Sequence, residues 1–450
     1  MQSKIKRLIK IGLDKKNKSL TKQLMEGSAY IFSTNIITKL GGLIFTLLLA
    51  RVLLPDLFGL YNIVLSLILT ISSLTDLGIG NAISRYLADS LSKGKKYMAE
   101  ARSRVLFLFK LKFLLSLITS IILFSLAQVI AIYVFRKPEV TVPLRIGSIY
   151  LFVMSIQGFF WSLSFPLKKL KYNLVSEILF EGSRIVLFLV LVLAYKSIST
   201  VFWVLTASYL ISAIFYMIVL FIKHKKLFFG KVIPIERRKM TIFLGWSTIL
   251  SSSLVLFGYI GNLMLGIFVE TNFIAYYSAI SSLVSTVIVF ITFNMIFLPI
   301  FTEIRDYKRL ERSFRKIKKA VLILAIPSTI VLAIFIIPLI KIIYGPNYVP
   351  TEYFTPILIS SILLSLLVVE GVLTGIYNSL FVAKEKIKIS AIVLIISTAL
   401  NIILNYFFVQ IALPFGQQWA LVAVAVATVL TRYANLITLA ILSKKKFGIS

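Results

Sequence analysis

Lys39, Arg184 and Arg432 are cations set inside stretches of otherwise apolar residues, and Glu181 and Glu370 are carboxylates in the same setting. A charge in such a place is expensive, so each is a candidate functional residue whose partner has to be found. Cations held there can bind an anion, either as a point charge or as a planar fork. Carboxylates held there can pair with those cations or exchange a proton. Lys39 lies about 16 Å into its run at 1.5 Å per residue, too deep for its stem to carry the ammonium easily to an interface. Arg432 lies near the middle of its run, with Asn435 one turn on. Glu177, Glu181 and Arg184 fall at spacings of four and three and share one helical face, where Glu181 and Arg184 can neutralise each other. Glu370, followed by Gly371 and Gly375, has no local partner in sequence; it can titrate, or pair with Lys39 or Arg432 across a cavity. Asp76 stands beside Gly78 and Gly80, which favours a structural role as a cap or interhelical bond. Asn262, Asn294, Asn401 and Asn405 belong to a residue type that more often glues membrane helices together than binds a ligand. Asn401 and Asn405, four apart, share a face.

These residues need elements that cross hydrocarbon. The chain of 450 residues is 59% hydrophobic with a mean hydropathy of +0.95, the composition of a polytopic membrane protein. Its organising unit is a hairpin of two apolar runs, Ser28–Leu53 and Tyr61–Ser84, joined by a break containing Pro55, Asp56 and Gly59. Each run exceeds the ~20 residues that span a ~30 Å hydrocarbon core. Twelve runs are expected in all: 28–53, 61–84, 105–134, 146–166, 176–195, 200–222, 241–269, 273–300, 320–344, 355–381, 389–412 and 420–442. The third is long enough to tilt or project from the membrane. Pro299, Pro327, Pro338 and Pro356 can bend the helices that carry them.

Forty of the 49 Lys and Arg residues lie in loops on the side of the N-terminus. The opposite loops hold Arg136, Lys137, Arg145 and Lys196, and Lys39, Arg51, Arg184, Lys341 and Arg432 lie within runs. The positive-inside rule then places both termini in the cytoplasm. It also accounts for the formal charge of +32 as a set of anchors to the anionic leaflet, with no nucleic acid needed. Residues 1–27 read as a basic amphipathic segment on the membrane surface, and 443–450 as a basic tail. Trp203, Trp246 and Trp419 stand at run ends, where indoles mark the interface. The basic linker 223–240 divides the runs into two groups of six, 28–222 and 241–442. A weak repeat at an offset of 216 agrees, setting Ala50–Tyr61 against Gly266–Tyr277. Both halves then enter from one side, as in transporters whose repeats are related by an axis along the membrane normal. The absence of cysteine excludes disulfides, thiolate metal sites and a cysteine nucleophile, and the one histidine, His224, excludes a multi-histidine metal cluster. No Gly-rich phosphate loop ends in Gly-Lys-Ser/Thr, which argues against direct ATP drive, and no cofactor is indicated.

The stretch Ala50–Tyr61, with Arg51, Gly59 and Tyr61, resembles the first-hairpin signature of polysaccharide-biosynthesis flippases. So do Asp76-Leu77-Gly78-Ile79-Gly80 with Arg85-Tyr86, and Tyr276-Tyr277-Ser278-Ala279. These are the O-antigen and lipid-linked oligosaccharide exporters of the multidrug/oligosaccharidyl-lipid/polysaccharide superfamily. The resemblance implies an all-α integral membrane protein, with two six-helix bundles forming a V-shaped alternating-access transporter. It implies a polyprenyl-pyrophosphate oligosaccharide as substrate, membrane lipid around it, and partners in polysaccharide assembly. Twelve spans match that branch better than the fourteen of lipid II flippases.

A flippase must hold a pyrophosphate and a glycan in the membrane, which calls for cavity cations and hydrogen-bonding groups. Lys39, Arg432 and Arg184 are the expected cations, Glu370 and Glu181 the expected ion-coupling carboxylates, and Asn401, Asn405 and Asn435 the expected glycan contacts. Arg51 and Asp76, like Gly59 and Tyr61, are expected to be structural. A drug or metabolite exporter of the same superfamily is the rival reading, disfavoured because Lys39, Arg184 and Arg432 against Glu181 and Glu370 leave the cavity cationic on balance. An integral-membrane glycan polymerase or glycosyltransferase fits less well, since the opposite loops are short and no nucleophile–base constellation is visible. The topology is directly testable, because every thiol in this chain would be an introduced one. Lys231→Cys should react with an impermeant maleimide only from the cytoplasmic side and Gln417→Cys only from outside. The reverse pattern would invert the assignment.

Overall fold

The computed structural model describes residues 2–94, 97–291, 301, 306–384 and 386–449, with side chains placed from Glu26 onward except at Ser28, Ser92, Trp246, Leu250, Tyr307 and Lys308. All regular elements among the described residues are helical. That follows from the sequence: hydrocarbon offers no hydrogen bonds, and a helix satisfies its own backbone. The principal helices are α1 (Gln2–Asp76), α2 (Met98–Val129), α3 (Thr141–Leu163), α4 (Lys171–Leu187), α5 (Ile198–Lys223), α6 (Arg237–Phe268), α7 (Thr271–Ile291), α8 (Tyr307–Ile343), α9 (Phe354–Ser365), α10 (Leu367–Ala383), α11 (Ile387–Ala412) and α12 (Trp419–Phe447). The side chains of residues 1–25, and so the amphipathic face expected there, lie outside the described residues, as do Asn294, Pro299 and the Trp246 indole.

Eleven helical stretches among the described residues are long and apolar enough to cross a membrane. Ten answer one to one to the expected runs from 105–134 onward. The other, Ala29–Leu91, has 63 residues and takes in both of the first two runs. At 1.5 Å per residue it would reach about 95 Å, roughly three hydrocarbon thicknesses, if it were straight. It is divided at Leu54, whose backbone leaves the helix (φ 59°, ψ 174°). The cause is local: Pro55 disfavours helical geometry in the residue before it and is itself well suited to restart a helix. The turn is thus one residue, where the sequence suggested seven.

The repeat expected from sequence pairs Leu54 with Glu270, and Glu270 is likewise non-helical, between the end of α6 and the start of α7. The two breaks lie against each other. Thr271 Oγ1 donates to Asp56 Oδ1 at 3.2 Å, and a Cβ on Gly59 would overlap the Thr271 carbonyl. Glycine is required at 59 by that approach. Tyr61, buried nearby, stacks on Phe58 at 6.0 Å and packs on Phe202 at 5.7 Å.

Two cations fasten this end. Arg51 donates Nε to the Ile343 carbonyl at 3.0 Å and a second nitrogen to Ile342, while Lys137 Nζ donates to the carbonyls of Gly266 at 2.8 Å and Val269 at 2.9 Å. Each satisfies the free carbonyls at a helix C-terminus, of α8 and α6 respectively, and complements the negative end of the helix dipole. Arg51 therefore ties the first half of the chain to the second, where a role within its own hairpin was expected. Burial lowers the Lys137 ammonium below the usual lysine range.

Burial is shared between the halves at one end and divided at the other. At the end carrying Leu54, Val269 and Tyr344, one apolar cluster draws on both halves, from Phe45 and Ile63 to Ile274, Ile340 and Val424. Toward the basic loops the core splits into two clusters, one around Ile83, Val105, Phe160 and Tyr216, the other around Phe314, Val372, Tyr377 and Leu439. Replacing Gly59 with Val tests the shared end: the overlap with Thr271 should lower thermal stability in detergent by at least the ~1–3 kcal/mol of an overpacked site. Gly59→Val at wild-type stability would show that the two breaks do not meet.

Candidate functional site

The candidate charged side chains fall in two places. The first lies between α1 and α4. Glu177, Glu181 and Arg184 share one face of α4, as their spacing requires, and Arg184 pairs with Glu181. The Arg184 guanidinium lies over the rings of Phe45 at 4.4 Å and Phe180 at 4.9 Å. Space for the pair comes from Gly41, where a Cβ would strike the Glu181 carboxylate; Gly42 is the residue beside the guanidinium, where a Cβ would make only an ordinary contact at 4.0 Å. The Thr38 hydroxyl donates to the Thr34 carbonyl at 2.9 Å, and Glu177 is also buried. Asn35, Lys39, Gly42 and Thr46 recur at helical spacing beside this face, and the Lys39 side chain is exposed at its edge.

The second place lies among α6, α10 and α12. Glu370, only 1% exposed, has one oxygen 3.7 Å from an Arg432 nitrogen, an ion pair looser than a hydrogen bond. Its other oxygen accepts from Thr374 Oγ1 at 2.6 Å. The expectation that Glu370 lacks a local partner is corrected by that bond, since a threonine four residues on reaches back along the helix. Arg432 covers the Phe257 ring at 4.9 Å and lines a cavity of about 70 Å³ with Gly261, Tyr277, Ser281 and Thr428. Its side chain is 26% exposed, the more open of the two guanidinium groups.

The structure therefore pairs Glu181 with Arg184 and Glu370 with Arg432, and leaves Lys39 at the rim of the first group. The three asparagines expected to contact glycan sit elsewhere. Asn401 donates to Thr431 Oγ1 at 2.7 Å, Asn405 to the Asn401 carbonyl at 2.8 Å, and Asn435 accepts from Ser397 at 3.4 Å. All three are buried. Asn405 reaches back along its own helix, and Asn401 and Asn435 bond helix to helix, as membrane asparagines commonly do. Asn262 does the same, donating to Ser66 at 3.2 Å and accepting from Ser278 at 3.1 Å.

Asp76 has the interhelical role expected of it, with a partner the sequence did not suggest. Lys112 on α2, 3% exposed, meets its carboxylate at 2.6 Å. Helix α1 stops at Asp76 because Leu77 and Gly78 both adopt left-handed backbone (φ 49° and 59°). Glu177 was weighed in sequence only as a neighbour of Arg184. Counting it makes three cations (Lys39, Arg184, Arg432) and three carboxylates (Glu177, Glu181, Glu370), so the formal sign of these groups is balanced, where a cationic surplus was expected.

The buried pair on α4 sets its own test. Arg184→Ala should destabilise by about 3–5 kcal/mol, because Glu181 is left without compensation, and Arg184→Ala with Glu181→Ala should recover most of that loss. Thermal unfolding in detergent reads both. Equal losses in single and double variants would mean that packing, and not the charge, is what matters.

The chain can now be compared with known proteins. The family model described as polysaccharide biosynthesis protein matches residues 24–305. No curated protein sequence matches significantly. In fold the chain is similar to an inward-facing multidrug resistance MATE family transporter of the MOP superfamily, with TM-score 0.75 and 14% identity over 91% of this chain and 96% of that one. It is similar also to the lipid II flippase MurJ in an inward closed conformation, with TM-score 0.72 and 15% identity over 92% and 87%. A MOP superfamily transporter from Pyrococcus furiosus, described by the reverse polarity of its binding pocket, gives TM-score 0.63 and 12% identity over 94% and 96%. At these identities the likeness is one of fold.

Proposed function

The chain belongs to the polysaccharide biosynthesis protein family, and on that premise we propose that it flips a polyprenyl-pyrophosphate oligosaccharide from the cytoplasmic to the outer leaflet by alternating access. It is a multi-pass membrane transporter of the MOP superfamily by family and fold. The observation that carries the substrate class is the pair of guanidinium groups held within the helix bundles, Arg184 and Arg432, each resting on aromatic faces. A guanidinium is the side chain best suited to phosphate oxygens in a dry setting, being always charged and presenting a planar set of donors. Arg432 is the better placed, since its carboxylate stands off at 3.7 Å and its side chain is partly open. Lys39, exposed at the edge of the first group, would add a point charge as the headgroup enters. Partners of this reading are the lipid substrate, the surrounding bilayer and other proteins of polysaccharide assembly.

The membrane potential suffices as a driving force. Each negative charge moved outward across an inside-negative membrane releases about 2.3 kcal/mol per 100 mV. The cations have only to lower the desolvation barrier, and Glu370, paired with Arg432, is the carboxylate suited to exchange an ion against substrate. A multidrug or metabolite exporter is the second reading. It rests on the fold shared with a multidrug transporter and on three buried carboxylates, which bring the formal balance to neutrality.

Proteoliposomes loaded with a fluorescent polyprenyl-pyrophosphate oligosaccharide test the two. The first reading expects wild type to move the lipid, with Arg432→Ala and Lys39→Ala each slower by tenfold or more and Glu370→Gln changed in its dependence on the ion gradient. Extrusion of an organic cation with no lipid movement would select the second.

A further inference from the structure

The sequence divides the chain at the linker 223–240, yet the packing does not. Residues 224–233 are strapped to the first half. Arg102, buried near the start of α2, donates Nε to the Lys226 carbonyl at 3.0 Å, a terminal nitrogen to the same carbonyl at 2.7 Å, and its other terminal nitrogen to Lys231. Ser103 Oγ accepts from the Ile233 N–H at 2.8 Å. Gly230, at φ 123°, lies so close under the Arg102 guanidinium that a Cβ there would be 2.8 Å from it. Leu227 is buried in the first-half core. Only Pro234, Ile235 and Glu236 remain before α6 begins, a tether of about 10 Å at full stretch.

Helix α6 then runs for its whole length against residues 63–86, the part of α1 that follows Leu54 and the helical residues beyond Asp76. At the basic end Phe243 meets the Tyr86 ring edge-on at 5.8 Å with Arg85 over its face at 5.2 Å, and Met240 and Leu244 are buried in the same first-half core. Further in, Asn81 donates to Ser247 at 3.0 Å, and Gly78 lies so near Ser247 that any side chain at 78 would collide with it. Ser252 donates to the Ser73 carbonyl at 3.0 Å, and Asn262 to Ser66 at 3.2 Å. At the far end Gly266 approaches Ile63 and Phe135, and Lys137 caps the helix. The pairs 81/247, 73/252, 66/262 and 63/266 descend one strand of contact as they climb the other, the register of an antiparallel seam.

We propose that this seam does not open. Helix α6 moves with the first half as a shared wall, and the boundary at which the halves separate lies beyond it, against α7 to α12. Two facts favour this over a division at the linker. Polar side chains exposed by opening the seam would meet hydrocarbon, where unpaired groups are costly. In addition the strap leaves too little slack for the start of α6 to swing away. On its other side α6 meets α11 and α12 through rings, Phe268 on Tyr406 at 5.9 Å and Phe257 under Arg432. The ring contacts can slide without stranding a hydrogen bond, and the one side-chain bond from α7 to α6, Ser278 to Asn262 at 3.1 Å, stands against the three side-chain bonds of the seam. The proposal rests on alternating access, the motion assumed above, though not on the identity of the substrate.

Pulsed electron spin resonance on the full-length chain in lipid nanodiscs tests it without any ligand, so a failed flipping assay would leave it standing. Spin labels are placed at exposed sites, Leu74 with Leu254 across the seam, Val175 with Val382 across the basic end, and Tyr133 with Ile342 across the far end. Leu74→Cys/Leu254→Cys should give one narrow distance distribution, with at least one of the other pairs clearly broader or bimodal. Adding Asn262→Ala and Ser252→Ala should broaden the seam distribution, which a purely apolar contact would not do. A seam distribution as broad as both of the others, or one indifferent to those substitutions, overturns the proposal.

Discussion

An ionised or hydrogen-bonding group taken into hydrocarbon has to find its partner within the protein, and nearly every decisive contact in this chain answers that constraint. It makes the elements helical, since helices alone among short segments bond their own backbones. It places Arg51 and Lys137 on the C-terminal carbonyls of α8 and α6, where a helix end has acceptors to spare. It seats Glu181 on Arg184, Glu370 beside Arg432 and Asp76 on Lys112. The same rule closes the seam along α6 with serine and asparagine side chains. A transporter has to break some of these pairings in every cycle, so the loosest deserve the functional role. Arg432 and Glu370, at 3.7 Å and with one guanidinium partly open, are the loosest of the buried pairs.

Capping at the far end and strapping at the basic end act differently. The far end joins the halves through a shared apolar cluster and through Arg51, whose bonds to the end of α8 a rotation of one half can break and water can replace. Arg51 is exposed, so its bonds are of that kind. The strap is anchored by a buried arginine whose loss would strand two carbonyls together. This contrast makes the far end the more natural place for the halves to part and the linker an unsuitable one for a hinge, in keeping with the proposal that α6 moves with the first half.

Local features were readable in the sequence because their causes are local. Pro55 dictates the break at Leu54, and spacings of four and three put Glu177, Glu181 and Arg184 on one face. The offset of 216 anticipated that Leu54 and Glu270 would both interrupt helices. What sequence could not supply was register between helices. Lys112 looked like one more basic residue at a run's start, and only the packing of α2 on α1 brings it to Asp76. Arg102 likewise read as a topological anchor, although it holds the linker. Asn401, Asn405 and Asn435 were polar groups in apolar runs whose partners, Thr431 among them, could not be known until α11 and α12 were laid together. The sign of the candidate cavity was misjudged because Glu177, though placed on one face with Glu181 and Arg184, was left out of the balance of charges.

The account depends most on the charge of what crosses the membrane, and current on a solid-supported bilayer carrying oriented protein measures it directly. Addition of a polyprenyl-pyrophosphate oligosaccharide on the cytoplasmic face should give a transient current with the sign of negative charge leaving that face, much reduced in Arg432→Ala. No current with the lipid, together with a current of opposite sign on adding an organic cation, would contradict the account and make this chain a cation exporter.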